Sequence, residues 1–269
     1  MVDGDTQVPT KTPKIPKETP TTTPSRVLIF GATSAIASEV ARLYAGRGAR
    51  LCLVARNGER LARLVSDLPP QQVTAAIADF SNLSNAELVV SAAVEALGGI
   101  DVALVAHGDL GDQLESERSI AAAEATIVAN FTSVVALLIP LANHMERVGA
   151  GTLGVITSVA GERGRPRNYT YGAAKGALNI YLQGLRSRLY AAHVKVTTLK
   201  LGPVDTPMTR AHRKTAVFSK PEPVARGIVA ALDAGAAEAY VPAFWAALMP
   251  IVRNTPERLF QVLPFLSGR

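Results

Sequence analysis

The chain has 269 residues, 48% of them hydrophobic and 19% charged, with a formal net charge of +6. That is enough apolar material for one large core, and an α/β unit of this size is commonly a single domain. The single cysteine, Cys52, excludes an intramolecular disulfide. Within the apolar run LCLVA it reads as a small buried hydrophobe, which fits a cytoplasmic protein.

Residues 1–24 are rich in Pro, Thr and Lys and lack an apolar run, so they read as neither a signal peptide nor a spanning helix. Such a segment buries too little apolar surface to offset its ordering entropy and is expected to be a disordered tail. Its three lysines balance two aspartates and one glutamate, so the positive charge belongs to the folded body. There it suits an anionic ligand, a membrane surface, or solubility alone. No nucleic-acid partner and no metal are expected.

From Arg26 onward, short β-branched runs alternate with Ala/Leu-rich amphipathic stretches. Strands are predicted at 26–32, 49–55, 73–79, 100–106, 151–158, 193–201 and 238–243, and helices at 35–46, 58–67, 84–97, 115–145 and 171–192. Near-continuous apolar strands alternating with helices imply a parallel sheet covered on both faces. The expected fold is α/β, a Rossmann-type doubly wound sheet of about seven strands spanning residues 25–243. Residues 244–269 form an apolar and basic helical extension. Ligands of such sheets bind at the carboxyl ends of the strands.

The first strand runs into IFGATSAIASEV (29–40). Gly31 supplies the turn without a Cβ, whereas Ala35 and Ala37 stand where a glycine-rich phosphate loop would carry further glycines. Alanine is well tolerated in the first turn of a helix. The free amides of the helix N-terminus and the hydroxyls of Thr33 and Ser34 can still meet a pyrophosphate. Alone, this stretch fits a dinucleotide site or a plain strand–turn–helix junction.

Tyr171 and Lys175 in NYTYGAAKGAL (168–178) lie four apart, on one face of a helix. Ser158 ends the strand GVITS, and Asn130 lies in the preceding long helix. A phenol with a pKa of about 10 needs help to move a proton at neutral pH. A close ammonium, together with an oxidised nicotinamide, lowers that pKa. A serine hydroxyl can hold a substrate oxygen, and an asparagine can order a water that links Lys175 to solvent.

These residues, with the loop at Gly31 and LGPVDTPM (201–208), make the chain resemble the short-chain dehydrogenase/reductase superfamily across 26–243. The resemblance implies an NAD(P)-dependent oxidoreductase with Asn130, Ser158, Tyr171 and Lys175 as its catalytic residues. The implied cofactor contacts are Gly31, Thr33, Ser34, Ala35, Ile36, Arg56, Asn57, Asp79, Ala106, Gly108, Tyr171, Lys175, Val204 and Thr206. Two departures stand out: Leu201 replaces a proline, and VAHG (105–108) replaces Asn-Asn-Ala-Gly. The second strand ends in VARN without an acid to grip a ribose diol, and Arg56 there suits a 2′-phosphate. NADP(H) is therefore favoured over NAD(H). Asp79 matches the family's acceptor for the adenine amino group, or it is a helix cap.

A narrower resemblance, carried by AHGDLGDQ, SVAGERGRPRNYTYGAAK and the C-terminal segment, is to bacterial decaprenylphosphoryl-2-keto-ribose reductases and their relatives. It implies an amphiphilic, anionic substrate. In PMTRAHRKTAVFSK the lid-like segment carries Arg210, Arg213 and Lys214, which either face a phosphate or form a solvated loop. FWAALMPIV is too short to span a bilayer and suits a membrane interface, the core surface or a dimer contact. A homo-oligomer and a partner oxidase both fit this reading. A reductase of a soluble ketone or 3-oxoacyl substrate would need the triad but neither the basic lid nor the apolar tail.

Overall fold

The computed structural model describes residues 25–210 and 214–263. The N-terminal tail of residues 1–24, Arg213 and residues 264–269 lie outside the described residues.

The strands are β1 (Arg26–Phe30), β2 (Arg50–Ala55), β3 (Val73–Ile77), β4 (Val102–Val105), β5 (Thr152–Ser158), β6 (Lys195–Leu201) and β7 (Glu238–Val241). They form one sheet in the order β3-β2-β1-β4-β5-β6-β7, with every pair parallel. All seven lie within the spans expected from the apolar runs. The winding reverses between β1 and β4, and a crevice opens over their carboxyl ends. Register fixes what meets there: Phe30 pairs with Val54 and Val105, and Ser158 pairs with Leu201.

The helices are α1 (Ala35–Gly46), α2 (Gly58–Ser66), α3 (Ala86–Leu97), α4 (Gln113–Ser116), α5 (Ile120–Ile127), α6 (Ser133–Val148), α7 (Tyr169–Leu189), α8 (Pro221–Asp233), α9 (Trp245–Asn254) and α10 (Glu257–Val262). Alternation of strand side chains splits the core in two. Val27, Ile29, Leu51 and Leu53 pack with α1 and α8, while Leu28, Phe30, Val54 and Val105 pack with α3, α6 and α7.

Two features differ from the sequence expectation. The long helix read at 115–145 is broken into α4, α5 and α6, with a π-turn at Val128–Thr132 between the last two. In addition, β3 is an edge strand whose Thr74–Ile77 stretch is exposed, so double-sided burial stops one strand short of that edge. Ile120–Val148 is long and apolar enough to cross a membrane by composition. Here it is a core element, since Val134, Leu137, Leu138, Leu141 and Met145 are buried against the sheet.

Candidate active site

At the β1 end of the crevice, the amides of Gly31 and Ala32 both donate to the Val54 carbonyl, at 2.9 and 3.2 Å. This folds the loop across β2. Gly31 has φ +74°, and a Cβ there would lie 2.7 Å from the His107 amide nitrogen, so only glycine fits. Ser34 Oγ accepts from the Ala37 amide at 3.1 Å and caps α1. Ala37 is wholly buried in the core, where its methyl adds packing. The first turn of α1 holds no acid. Among the described residues, the amides of Thr33, Ala35 and Ile36 meet no protein acceptor. Free donors at a helix N-terminus fit a pyrophosphate.

Arg56 is exposed immediately beyond β2. Asn57 Oδ1 accepts from the Arg60 amide at 2.8 Å and caps α2, which leaves its NH₂ for a ligand. Asp79 is no helix cap: its Oδ1 accepts from the Ser81 amide at 2.9 Å and the Ser81 hydroxyl at 2.8 Å. Those bonds, helped by the charge of Arg56, hold its carboxyl below the usual range.

Beyond β4, the Ala106 amide donates to Phe30 at 2.9 Å. Asn130, in the π-turn and fully buried, donates to the carbonyls of Asp109 (2.6 Å) and Thr126 (2.8 Å) and accepts from the Asp109 amide (3.1 Å). A Cβ on Gly108 would lie 2.8 Å from Asn130 Oδ1 and 3.3 Å from Lys175 Nζ, so the glycine lets both groups close on this loop. His107, which the sequence analysis did not single out, stacks on Phe80 at 4.4 Å and bonds Ser133 Oγ through Nε2 at 2.9 Å. Ser133 Oγ also lies 3.2 Å from the Ala129 carbonyl, so a hydroxyl that donates there accepts from an imidazole protonated on Nε2. Burial, aided by the charges of Lys175 and Arg56, pushes its pKa down to about 3. The signal in the sequence was a bulky imidazole where the family has a small residue.

Ser158 ends β5, and its hydroxyl accepts from the Ala160 amide at 3.1 Å, capping a short 3₁₀ turn over Val159–Glu162. Tyr171 and Lys175 stand one turn apart on α7, with Lys175 Nζ 5.8 Å from the Tyr171 ring centroid. Lys175 is buried, donates to the Ile156 carbonyl at 3.2 Å, and is pushed down to about 8 by burial. The expected depression of the Tyr171 pKa is not found in the protein alone. Burial pushes the phenol up to about 12, and only Ser158 opposes that. At neutral pH the phenol is thus fully protonated, the state that a proton donor needs.

Val204 bridges to Ser219, and the Asp205 amide donates to the Ser219 carbonyl at 2.8 Å, which pins the segment holding Thr206. Lys214 is not free to meet a phosphate. It pairs with Asp205 at 2.9 Å and donates to Thr209 O and Oγ1 at 2.7 and 2.9 Å. Arg210 is exposed. Arg165, between Ser158 and Tyr171, has its Nε buried without an acceptor, and burial lowers its pKa.

The fold and this crevice define an NAD(P)-dependent oxidoreductase. Residues 25–216 match the family model described as short chain dehydrogenase, and the chain belongs to that family. An uncharacterized oxidoreductase of Mycobacterium tuberculosis is 33% identical over 244 residues, covering 88% of this chain and 96% of its own. One from Streptomyces coelicolor is 31% identical, covering 89% and 96%. Among solved structures, a short chain dehydrogenase from Burkholderia cenocepacia in complex with NADP superposes with TM-score 0.77 at 21% identity, over 89% of this chain and 97% of that one. An actinorhodin polyketide ketoreductase with NADPH gives 0.73 at 24% identity, over 81% and 95%. At such identities the solved structures establish the shared fold.

Proposed function

We propose that the protein is an NADPH-dependent carbonyl reductase acting on an amphiphilic, anionic substrate, a keto group on a polyprenyl-phosphate-linked sugar used in cell-envelope synthesis. The observation that carries the reaction type is the convergence of Ser158, Tyr171 and Lys175 at the carboxyl end of β5. When bound, the reduced nicotinamide supplies a hydride. Ser158 holds the carbonyl oxygen, and the Tyr171 hydroxyl gives it a proton. Lys175 keeps positive charge beside the phenol and would hold the nicotinamide ribose. Asn130 braces the loop against which Lys175 packs. The free amides of Thr33, Ala35 and Ile36 would take the pyrophosphate, Asp79 the adenine, and Val204 and Thr206 the carboxamide. NADP(H) is favoured over NAD(H) by Arg56, and NADP or NADPH is named with both solved relatives above.

Support for an anionic substrate comes from Arg165 and Arg210, which have no acidic partner among the described residues. Arg213 completes the basic lid of this reading. Support for amphiphilicity comes from Phe244, Ile251, Leu259 and Val262, which stay exposed on the C-terminal helices with Arg253 and Arg258 beside them. Such a surface suits the inner face of the membrane for a cytoplasmic enzyme. A soluble-ketone or 3-oxoacyl substrate is the second reading, favoured by the engagement of Lys214 within the lid. Mass spectrometry of lipid extracted from the purified full-length protein separates the two. A co-purifying polyprenyl-phosphate-linked keto sugar that gains two hydrogens when NADPH is added supports the first reading. Turnover of short ketones with no lipid phosphate bound or reduced supports the second.

A further inference from the structure

The 3₁₀ turn that starts at Ser158 is fixed from three directions. Val159 is buried in a cluster with Trp245, Met249, Val252 and Phe260, all from α9 and α10. Glu162, almost wholly buried, accepts from Lys200 Nζ at 2.7 Å and from the Tyr240 hydroxyl at 2.6 Å, while Lys200 also pairs with Glu238 at 2.8 Å.

Arg163 makes the third tie. Its Nη1 donates to the carbonyls of Arg253 (2.9 Å) and Thr255 (2.7 Å), with a longer contact to Val252 (3.4 Å), all at the C-terminal end of α9. Its Nη2 pairs with Glu257 in the first turn of α10 at 2.7 Å, and its guanidinium lies 4.2 Å from the Phe260 ring centroid. A cation suits the orphan carbonyls that end one helix, and a carboxylate suits the start of the next. One side chain therefore closes α9, aligns α10 and holds both against the Ser158 turn.

The same segment reaches the other wall of the carbonyl site. The Trp245 indole lies on Gly202, where a Cβ would sit 2.0 Å from Nε1. Gly202 directly follows Leu201, the register partner of Ser158.

We infer that Arg163 is a positioning residue for Ser158, and that α9 and α10 form part of the active-site wall. The inference rests on the carbonyl-reductase reading. Without Arg163, three carbonyls lose a donor, Glu257 loses its cation and keeps the amide of Gln261, Val159 loses its cover, and the Ser158 hydroxyl loses its fixed place. Small misplacement of a positioning group costs up to about 100-fold in rate.

The test uses the full-length chain. Arg163→Ala should lower kcat at least about tenfold and leave the NADPH Kd within about twofold, because Gly31 and Arg56 lie at the far end of the crevice. Arg163→Lys, which keeps the charge and some of the donors, should recover part of kcat. Amide exchange at Val159–Glu162 should speed up in Arg163→Ala. If that variant does not fold, Glu257→Gln and Phe260→Leu each remove one tie, and each should lower kcat more modestly at unchanged NADPH affinity. Unchanged exchange at Val159–Glu162, unchanged kcat in the variants, or an equal loss of NADPH affinity would each overturn the inference. Failure of the wild type to reduce any carbonyl overturns the reductase reading instead, while the exchange measurement still decides whether Arg163 holds the turn.

Discussion

Between β1 and α1 the backbone itself shapes the crevice: Gly31 turns tightly, presses on the His107 backbone and leaves helix amides free. Beyond β5 the shaping is done by side chains drawn from distant parts of the chain, with Glu162 held by Lys200 and Tyr240, and Arg163 by α9 and α10. The first arrangement is made by backbone against backbone and tolerates little change in sequence. The second is assembled from side-chain contacts some 40 to 95 residues apart in the chain and can be retuned piece by piece. A cofactor shared across a family suits the first kind of site, and a substrate peculiar to one enzyme suits the second.

The largest effect should come from Tyr171→Phe, which removes the hydroxyl proposed to donate the proton while keeping the ring. Carbonyl reduction should fall by at least ~100-fold with NADPH binding retained, as read by steady-state rates and cofactor fluorescence. Near-normal turnover would show that the polar end of the crevice does not hold the chemistry. Next, Gly31→Ala attacks the backbone-built end. Strain at positive φ and the contact with His107 should lower stability by about 1–3 kcal/mol and abolish tight NADPH binding. A thermal melt and a cofactor titration check both, and a variant with wild-type values would refute the claim that close backbone approach sets this end.

Arg56→Ala sharpens the comparison within the cofactor half. NADPH should bind about tenfold more weakly while NADH is unaffected, since only the 2′-phosphate contact is lost. Equal wild-type affinity for both cofactors would contradict that role. A further test concerns pH. His107 has a folded pKa of about 3 against an ordinary 6.5, so the unfolded chain takes up its proton first as pH falls. Stability from this group is therefore complete above pH 6.5 and lost progressively towards pH 3. His107→Asn should flatten that part of the stability–pH curve in denaturant titrations, and an unchanged slope would argue that the imidazole is accessible.

Much of this architecture was legible because its signals are local. Apolar runs marked all seven strands, and the spacing of Tyr171 and Lys175 placed both on one helical face. The break in the long helix was not legible, because a π-turn leaves the apolar pattern on either side intact. Nor was the commitment of Lys214, whose partner Asp205 lies across a turn, or the role of His107, whose partners Phe80 and Ser133 come from other layers. FWAALMPIV read equally well as a membrane-facing or core-facing helix. Trp245, Met249 and Val252 are buried in a cluster with Val159, which no window of the tail contains.

The π-turn also sets what kind of length change this chain can absorb. The Ser133 amide bonds back five residues to Val128, so the helix carries one residue more than a regular turn needs. A deletion of one residue within 128–132 would restore ordinary helical bonding and look harmless in an alignment. The turns on either side would keep their phase, because the extra residue is absorbed within the bulge, and the change would fall on the side chains of that turn itself. Asn130, which lies in the bulge, would leave the Asp109 carbonyl it meets at 2.6 Å and the Asp109 amide it accepts from at 3.1 Å. Among homologous chains, insertions and deletions should therefore gather in the β2–β3 region and avoid this single turn, even where every side chain in it is exchanged.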